Sequence, residues 1–271
     1  MKAAVLGSPI AHSLSPVLHR AAYRALGLDD WSYQAIECDE ARLPALLDGC
    51  GPGWAGLSLT MPLKRAVLPM LDLTDPLARE VGAANTVVFA AGERHGHNTD
   101  VPGMITALTE AGIAGPLGTV LIVGGGATAC SALAAVHGLG AADVTAAVRD
   151  PARATDLLAA ARRLGVVLTL TSFDQPAVDA PDLLISTVPS GAANTYAERL
   201  SGGDLVPSKL LDVVYHPWPT VLAVAAGRAG VTVVGGFPML LHQAAGQVAL
   251  MTGKQPPVEA MRAAGLAALG G

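Results

Sequence analysis

The stretch VLIVGGGATA, residues 120–129, decides the fold of this 271-residue chain. Four apolar residues predict a buried strand, three glycines follow it, and the next residues fit a helix. Glycine permits a tight turn and close approach of the backbone to a pyrophosphate, whose charge a helix N-terminus stabilises. The alternative is a glycine-rich turn that binds nothing. The strand and helix on either side favour a dinucleotide site, whose predicted ligands include Gly124, Gly125, Gly126, Ala127 and Thr128.

Strand-like and helix-like runs alternate on both sides of this stretch. This order predicts parallel sheets, because parallel neighbours need a crossover and a helix supplies it. We predict an α/β fold with an N-terminal three-layer α/β domain over residues 1–100. A Rossmann-type, doubly wound NAD(P)-binding domain is expected over residues 101–238. The last two helices, within residues 239–271, are expected to pack back on the first domain and complete it.

The composition excludes several classes of protein. A net charge of -5, with no run of Lys or Arg, gives no basic field for nucleic acid. Three cysteines, at spacings that fit neither a disulfide framework nor a metal site, favour a reducing cytoplasm; they are Cys38, Cys50 and Cys130. The apolar run at 231–251 is interrupted by Gly, Pro, His and Gln, so we expect no membrane span. His95 and His97 have no clear third ligand nearby, so no metal site is predicted.

The residues after the second strand of the Rossmann-type domain bear on cofactor choice. NAD sites usually place an acidic residue there to bind the ribose 2'-hydroxyl, whereas Arg149 stands at this position. A guanidinium matches a 2'-phosphate, and Arg153 is one helical turn further on. Asp150 either caps a helix before Pro151 or favours NAD. We predict NADP, with NAD as the alternative.

Lys64 and Asp100 form a candidate acid/base pair. Hydride transfer to a ketone creates an alkoxide, and a nearby proton donor removes the cost of that charge. Lysine can donate this proton, while a carboxylate holds it in place. The alternatives are a solvated helix residue for Lys64 and a helix cap for Asp100.

Six separated segments, in the same order along the chain, closely resemble the shikimate dehydrogenases of aromatic amino acid biosynthesis. Agreement of six segments is far more specific than one glycine-rich turn. Several positions depart from the commoner family pattern, since Ser58 and Leu59 stand where Asn-Val is usual and Arg20 follows His19 where Asn is frequent. Val148 likewise replaces a frequent Asn. The segments are SPIAHSLSP (8–16), LTMPLK (59–64), GAANT (82–86), NTD (98–100), DVVYHP (212–217) and GFPMLLHQ (236–243).

The resemblance implies NADPH-dependent, reversible reduction of 3-dehydroshikimate to shikimate in the shikimate pathway, which leads to chorismate and the aromatic amino acids. It assigns substrate binding to the first domain, with Lys64 as the acid/base residue and Asp100 as its partner. It also implies that two domains face each other across a cleft, and that Gly236 and Met239 line the nicotinamide pocket. The implied substrate ligands are Ser13, Ser15, Thr60, Lys64, Asn85, Asp100, Tyr215 and Gln243.

Other functions remain open at this stage. A related enzyme type accepts quinate as well as shikimate and often prefers NAD. A non-catalytic regulator that binds nucleotide or shikimate is an alternative of another class, which an intact Lys64 and Asp100 disfavour. A methylenetetrahydrofolate dehydrogenase lacks support from the segments around Ser13 and Gln243. Both a monomer and a homodimer fit the sequence.

Overall fold

A computed structural model describes residues 1–173 and 178–270 of the chain, without the side chain of Arg153. The chain divides into two compact units. The first unit comprises Met1–Gly103 and Leu240–Gly271, and the second comprises Met104–Met239. The first unit is therefore discontinuous in sequence. The predicted assignment of substrate to the first domain and cofactor to the second stays a prediction here.

Strands and helices alternate through the first hundred residues, and a helix follows them across the border between the units. The elements are β1 (Lys2–Gly7), α1 (Ser15–Ala25), β2 (Ser32–Glu37), α2 (Leu43–Asp48), β3 (Trp54–Leu59), α3 (Leu63–Ala66), β4 (Leu73–Thr74), α4 (Pro76–Val81), β5 (Thr86–Ala90), β6 (Glu93–His97) and α5 (Asp100–Glu110).

The remaining elements continue the alternation and end in two helices. They are β7 (Thr119–Val123), α6 (Ala127–Gly138), β8 (Asp143–Val148), α7 (Thr155–Leu164), β9 (Leu168–Ser172), β10 (Leu183–Ser186), α8 (Asn194–Gly202), β11 (Lys209–Asp212), α9 (Val221–Arg228), β12 (Thr232–Val234), α10 (Gly236–Thr252) and α11 (Val258–Gly270). Within the described part of the chain, no helix combines the length and apolarity that crossing a bilayer requires.

The first sheet has the strand order β2-β1-β3-β5-β6-β4 and is mixed, so the predicted parallel pairing holds for only part of it. β1 pairs in parallel with β2 and β3, whereas β5 is antiparallel to both β3 and β6. Only two residues, Ala91 and Gly92, join β5 to β6, with φ values of 53° and 84°. A two-residue connection can join antiparallel strands but cannot cross over to a parallel one.

Side chains on β3 show that helices cover both faces of this sheet. Leu57 and Leu59 share a core with Leu43 of α2 on one face. Gly56 points to the opposite face, where an added Cβ would lie 2.9 Å from Cγ of Met251 on α10. α11 packs against α1. The first unit thus has the predicted three layers, and the C-terminal helices complete it.

The second sheet is parallel throughout and has the order β12-β11-β10-β7-β8-β9. α8 and α9 supply Tyr196 and Leu222 to a core with Leu121 and Leu184 on one face. The strand order reverses between β7 and β10, and such reversals create a crevice at the carboxyl ends of the strands. This is the doubly wound arrangement that the sequence predicts.

Gly56→Ala tests the tight contact between β3 and α10. We expect the free energy of unfolding to fall by about 1–3 kcal/mol, because overpacking forces the surroundings to shift. The new Cβ would lie 2.6 Å from the carbonyl oxygen of Val87 and 2.9 Å from Met251 Cγ. Urea denaturation measures the loss. Gly53→Ala is the control, since its Cβ meets nothing within 4 Å. Equal stability of the two variants would contradict the packing described.

Candidate active site

Three predicted site residues lie at one edge of the first sheet. Lys64 follows the carboxyl end of β3, and Asp100 follows the carboxyl end of β6. Asn85 precedes β5, which runs antiparallel to both of these strands. The beginning of an antiparallel strand lies beside the ends of its neighbours, so the topology brings these three residues together.

Lys64 and Asp100 form a buried ion pair. Lys64 Nζ lies 2.5 Å from Asp100 Oδ2, and their side chains are 13% and 4% exposed. Lys64 is therefore not a solvated helix residue. The capping role belongs to Asn98, whose Oδ1 accepts a hydrogen bond from the backbone N–H of Val101 at 3.2 Å. Asp100 lies in the first turn of α5, where the helix dipole favours a negative charge.

Asn85 ties this ion pair to the rest of the site. Its Nδ2 donates to Asp100 Oδ1 and to Thr99 Oγ1, each at 2.9 Å, and lies 3.3 Å from Gln243 Oε1. Its Oδ1 accepts from the backbone N–H of Thr99 at 2.8 Å and from the Thr86 hydroxyl at 2.9 Å. The amide is thus oriented with its donors toward the carboxylate. Thr86 and Thr99 thus belong to the same hydrogen-bond network, and neither was among the predicted ligands, although both lie in the segments GAANT and NTD.

The other predicted substrate ligands lie at the ends of three different elements, α1, β3 and β11. Ser13 and Ser15 lie at the start of α1, where Ser13 Oγ accepts from the backbone N–H of Ser15 at 3.3 Å. Thr60 follows β3, and its backbone N–H donates to the Leu6 carbonyl at 2.9 Å. Tyr215 is half-buried and belongs to the second unit, after β11. Their roles in substrate binding stay predictions.

The glycine-rich turn has the geometry that a dinucleotide needs. Gly124 has φ of 123°, and an added Cβ would lie 2.3 Å from Thr187 Oγ1, so only glycine fits. Gly126 precedes α6, and its added Cβ would meet nothing within 4 Å. Ala127 and Thr128 form the first turn of that helix. Unpaired backbone N–H groups at a helix start bind phosphate, and the space beside Gly126 leaves room for one.

A groove of about 290 Å³ continues from this turn, lined by Gly124, Val148, Arg149, Asp150 and other residues. Arg149 is exposed there. Asp150 acts as a cap, because its Oδ1 accepts from the backbone N–H of Ala152 at 3.0 Å. Arg153 belongs to the short helix Pro151–Arg153, but its side chain lies outside the described residues. The residues present therefore fit a dinucleotide with a 2'-phosphate.

Gly236 and Met239 belong to the second unit, as the glycine-rich turn does. Gly236 donates its backbone N–H to the Val214 carbonyl at 3.1 Å. An added Cβ would lie 2.0 Å from the Val213 carbonyl oxygen, so close backbone approach requires glycine. Met239 is 7% exposed and packs in the core. Their predicted contact with nicotinamide stays a prediction.

Comparison with known proteins identifies the family. Residues 5–87 match the family described as "Shikimate dehydrogenase substrate binding domain", and residues 236–264 match "Shikimate 5'-dehydrogenase C-terminal domain". A relative from Methanothermobacter thermautotrophicus, named shikimate dehydrogenase (NADP(+)), is 37% identical over 95% of this chain and 93% of its own length. The chain belongs to the shikimate dehydrogenase family.

Two solved structures extend this finding to the fold. The shikimate dehydrogenase of Mycobacterium tuberculosis is 44% identical, with a TM-score of 0.87 over 98% of this chain and 99% of that one. The Thermus thermophilus enzyme, solved in complex with NADP(H) and shikimate, is 33% identical, with a TM-score of 0.84 over 99% of this chain and 100% of that one. The resemblance and the fold class predicted from the sequence are both confirmed.

Ser58, which departs from the usual shikimate dehydrogenase pattern, belongs to a buried group of hydrogen-bonded polar side chains. Its hydroxyl accepts from the Tyr33 hydroxyl at 2.6 Å and donates to Gln247 Oε1 at 2.8 Å. His19 stacks on Tyr33 with ring centroids 3.9 Å apart. The sequence analysis missed Gln247, although a second glutamine four residues after Gln243 in an apolar helix is a signal for one polar face.

The predicted absence of a metal site stays a prediction. Among residues 1–173 and 178–270, no group of three or more His, Cys, Asp and Glu side chains is arranged to hold a metal ion. His95 Nε2 instead lies 3.0 Å from Glu93 Oε2, and His97 Nδ1 lies 3.1 Å from Asp75 Oδ2. Each of the two histidines thus has a carboxylate partner of its own.

His19 makes stability depend on pH. Burial lowers its pKa from 6.5 to about 3, against the opposing effect of its hydrogen bond to Gln247. The unfolded chain therefore binds one more proton between these values, so stability is complete above pH 6.5 and falls as the pH falls. His19→Leu should lower the unfolding free energy less at pH 5 than at pH 7, by about 2 kcal/mol. Denaturant titrations at both pH values measure this; an equal loss at both would contradict it.

Proposed function

We propose that this chain is an NADPH-dependent oxidoreductase that reversibly reduces the ketone of 3-dehydroshikimate to the alcohol of shikimate. The observation that carries the proposal is the Lys64–Asp100 ion pair, with Nζ and Oδ2 2.5 Å apart and both side chains largely buried. Lysine and carboxylate side chains are rarely buried unless they are paired, and such groups are typical of functional sites. The names of the relatives, shikimate dehydrogenase (NADP(+)), support the same reaction.

The cofactor side of the proposal rests on the second unit. Residues 124–128 would hold the pyrophosphate through backbone N–H groups, and Arg149 would bind the 2'-phosphate. Asp150 supports NADP over NAD, because its carboxylate is engaged by the backbone N–H of Ala152. Gly236 and Met239 are the proposed nicotinamide contacts, and Arg153 is a second proposed phosphate ligand. Bound NADPH supplies the hydride that reduces the substrate carbonyl carbon.

Lys64 moves the proton in this reaction. As the carbonyl carbon gains hydride, the C–O π electrons become a lone pair on oxygen, and the ammonium of Lys64 donates a proton to that oxygen. In the reverse direction the neutral amine takes the proton from the alcohol. Asp100 holds Nζ in place by its Oδ2, and the Asn85 amide holds Oδ1. This arrangement supplies a positioned acid beside the place where negative charge develops.

The remaining polar residues would bind the substrate itself. Asn85 and Gln243 are the proposed partners of its hydroxyl groups, since both carry amides that donate and accept. The hydroxyls of Ser13 and Ser15 can donate to the substrate carboxylate without adding charge, and Thr60 is proposed to lie near the substrate hydroxyls and ketone. Tyr215 is proposed as a further donor to that carboxylate.

We propose a reducing cytoplasmic location and a small-molecule substrate as the partner. The thiols of Cys38, Cys50 and Cys130 are all free, which fits a reducing compartment. A net charge of -5 gives no attraction for nucleic acid.

One spectrophotometric assay tests the proposed function against its alternatives. Absorbance of the reduced cofactor would follow oxidation of shikimate and of quinate, each with NADP and with NAD. Turnover of shikimate with NADP well above the other three combinations is expected. Comparable turnover of quinate with NAD would favour the related quinate/shikimate type. No turnover despite tight binding of shikimate and nucleotide, measured by calorimetry, would favour a non-catalytic regulator.

Lys64→Ala should reduce kcat by a factor on the order of 10² to 10⁴, with a modest change in KM, because the proton transfer acts in the transition state. Steady-state kinetics with shikimate measures both constants. Lys254→Ala is the matched control, since that lysine is exposed on the surface. A Lys64 variant with near-native turnover would remove this residue from the mechanism.

Arg149→Ala should raise KM for NADP far more than KM for NAD, because only NADP carries the 2'-phosphate that the guanidinium would bind. Steady-state titration of each cofactor at saturating shikimate measures the two effects. Arg228→Ala, an exposed arginine on α9, serves as the control. If Arg149→Ala changed both constants equally, the arginine would not distinguish the two cofactors.

A further inference from the structure

Gln247 is a fully buried glutamine whose amide makes hydrogen bonds at both ends. Its side chain lies on α10 and is 1% exposed. Nε2 donates to the Asn85 carbonyl oxygen at 3.1 Å and to Thr86 Oγ1 at 3.1 Å. Oε1 accepts from the Ser58 hydroxyl at 2.8 Å and lies 3.2 Å from His19 Nε2. A buried amide with four partners contributes to a unique arrangement of its neighbours.

The direction of each hydrogen bond around Gln247 follows from the Asn85 carbonyl. A backbone carbonyl only accepts, so Nε2 of Gln247 must face it and Oε1 must face Ser58 and His19. His19 Nε2 therefore carries the proton of a neutral ring, because burial lowers the pKa of His19 to about 3. Ser58 uses its own proton toward Gln247 and so accepts from Tyr33. No reversal of one bond is possible without losing another.

A chain of hydrogen bonds connects Gln247 to the ion pair. Thr86 Oγ1 accepts from Gln247, so the Thr86 proton points to Asn85 Oδ1 at 2.9 Å. That oxygen also accepts the backbone N–H of Thr99. The two protons on Asn85 Nδ2 then face Asp100 Oδ1 and Thr99 Oγ1, each at 2.9 Å. Gln247 thus lies two hydrogen bonds from Asn85 Oδ1 and in direct contact with the Asn85 backbone.

We propose that Gln247 is a positioning residue that orients the side-chain amide of Asn85 and thereby holds the carboxylate of Asp100 beside Lys64. The proposal rests on the proposed dehydrogenase function and adds a residue to it. It also gives Ser58 a role, because the Ser58 hydroxyl donates to Gln247 and accepts from Tyr33 and so links the two side chains. Gln247 lies 162 residues from Asn85 along the chain, and a buried hydrogen bond joins the two residues directly.

Gln247→Met tests this by keeping the length of the side chain while removing its donors and acceptor. A displaced catalytic group slows the chemical step, so kcat/KM for shikimate should fall about 10- to 100-fold, chiefly through kcat. The pH profile of kcat should also move, since Asp100 would lose an oriented donor. Val248→Ala is the control, because Val248 is equally buried on α10 and its side chain is apolar. It should lower Tm and leave the kinetics unchanged.

A double-mutant cycle separates positioning from general destabilisation. If Gln247 acts through Asn85, then Gln247→Met should have little further effect on kcat/KM in an Asn85→Ala background. If the effects of Gln247→Met and Asn85→Ala on kcat/KM simply multiplied in the double variant, the proposal would be overturned. An unchanged kcat and pH profile in Gln247→Met would also overturn it. Neither result would bear on the dehydrogenase activity of the unaltered protein. If Gln247→Met fails to fold, Ser58→Ala removes one bond to Gln247 and should show a smaller, equally non-additive loss.

A measurement that does not depend on turnover completes the test. The side-chain amide of Asn85 gives a pair of NMR resonances that can be assigned by their loss in Asn85→Ala. In Gln247→Met these resonances should shift and exchange faster with solvent, whereas Val248→Ala should leave them in place. Unchanged resonances in Gln247→Met would overturn the positioning role of Gln247, whether or not the protein is active. Absence of dehydrogenase activity in the unaltered protein would instead refute the proposed function.

Discussion

The ion pair between Lys64 and Asp100 sets the conditions that the surrounding structure must meet. Taking two charges out of water is costly unless close geometry and further hydrogen bonds compensate. Here the compensation comes from the Asn85 amide on one carboxylate oxygen and Lys64 Nζ on the other. The start of α5 adds the favourable end of a helix dipole. Polar groups held in this way keep their positions before any substrate arrives, which is the preorganisation that catalysis needs.

Much of the fold could be predicted because its signals are local. The strand, glycine-rich turn and helix at residues 120–129 lie within ten consecutive positions, and the α/β alternation repeats around them. The hairpin of β5 and β6 was missed because its strands are short and its second strand, ERHGH, has little apolar periodicity. Its turn at Ala91 and Gly92 lacks the Asn-Gly or Asp-Gly pair that marks most such turns. Pairing with β3 and β4 supplies the order that the local sequence does not.

Some residues of the candidate site could likewise be predicted from the sequence, and others could not. Lys64 and Asp100 could be proposed from chemistry, and the substrate ligands from a resemblance carried by six segments. The spacing of Gln247 from Gln243 predicts a shared helix face, but its partners could not be predicted, because Ser58 and Asn85 lie 189 and 162 residues away along the chain. The sequence does not show which groups face a glutamine, because these are set by packing between distant segments. The cap at Asn98 shows the same limit, since either Asn98 or Asp100 fits the pattern of residue types.

The two-residue hairpin has a consequence for how this family tolerates change in length. Thr86 pairs with His97, so Asn85 comes to lie beside the segment that carries Asp100. Adding one residue inside either strand would slide the pairing and turn the residues that follow it in that strand to the opposite face of the sheet. The carboxylate would then point away from the amine. A one-residue insertion should therefore be tolerated in the loop around Gly165 but not inside the two strands of the hairpin, residues 86–90 and 93–97.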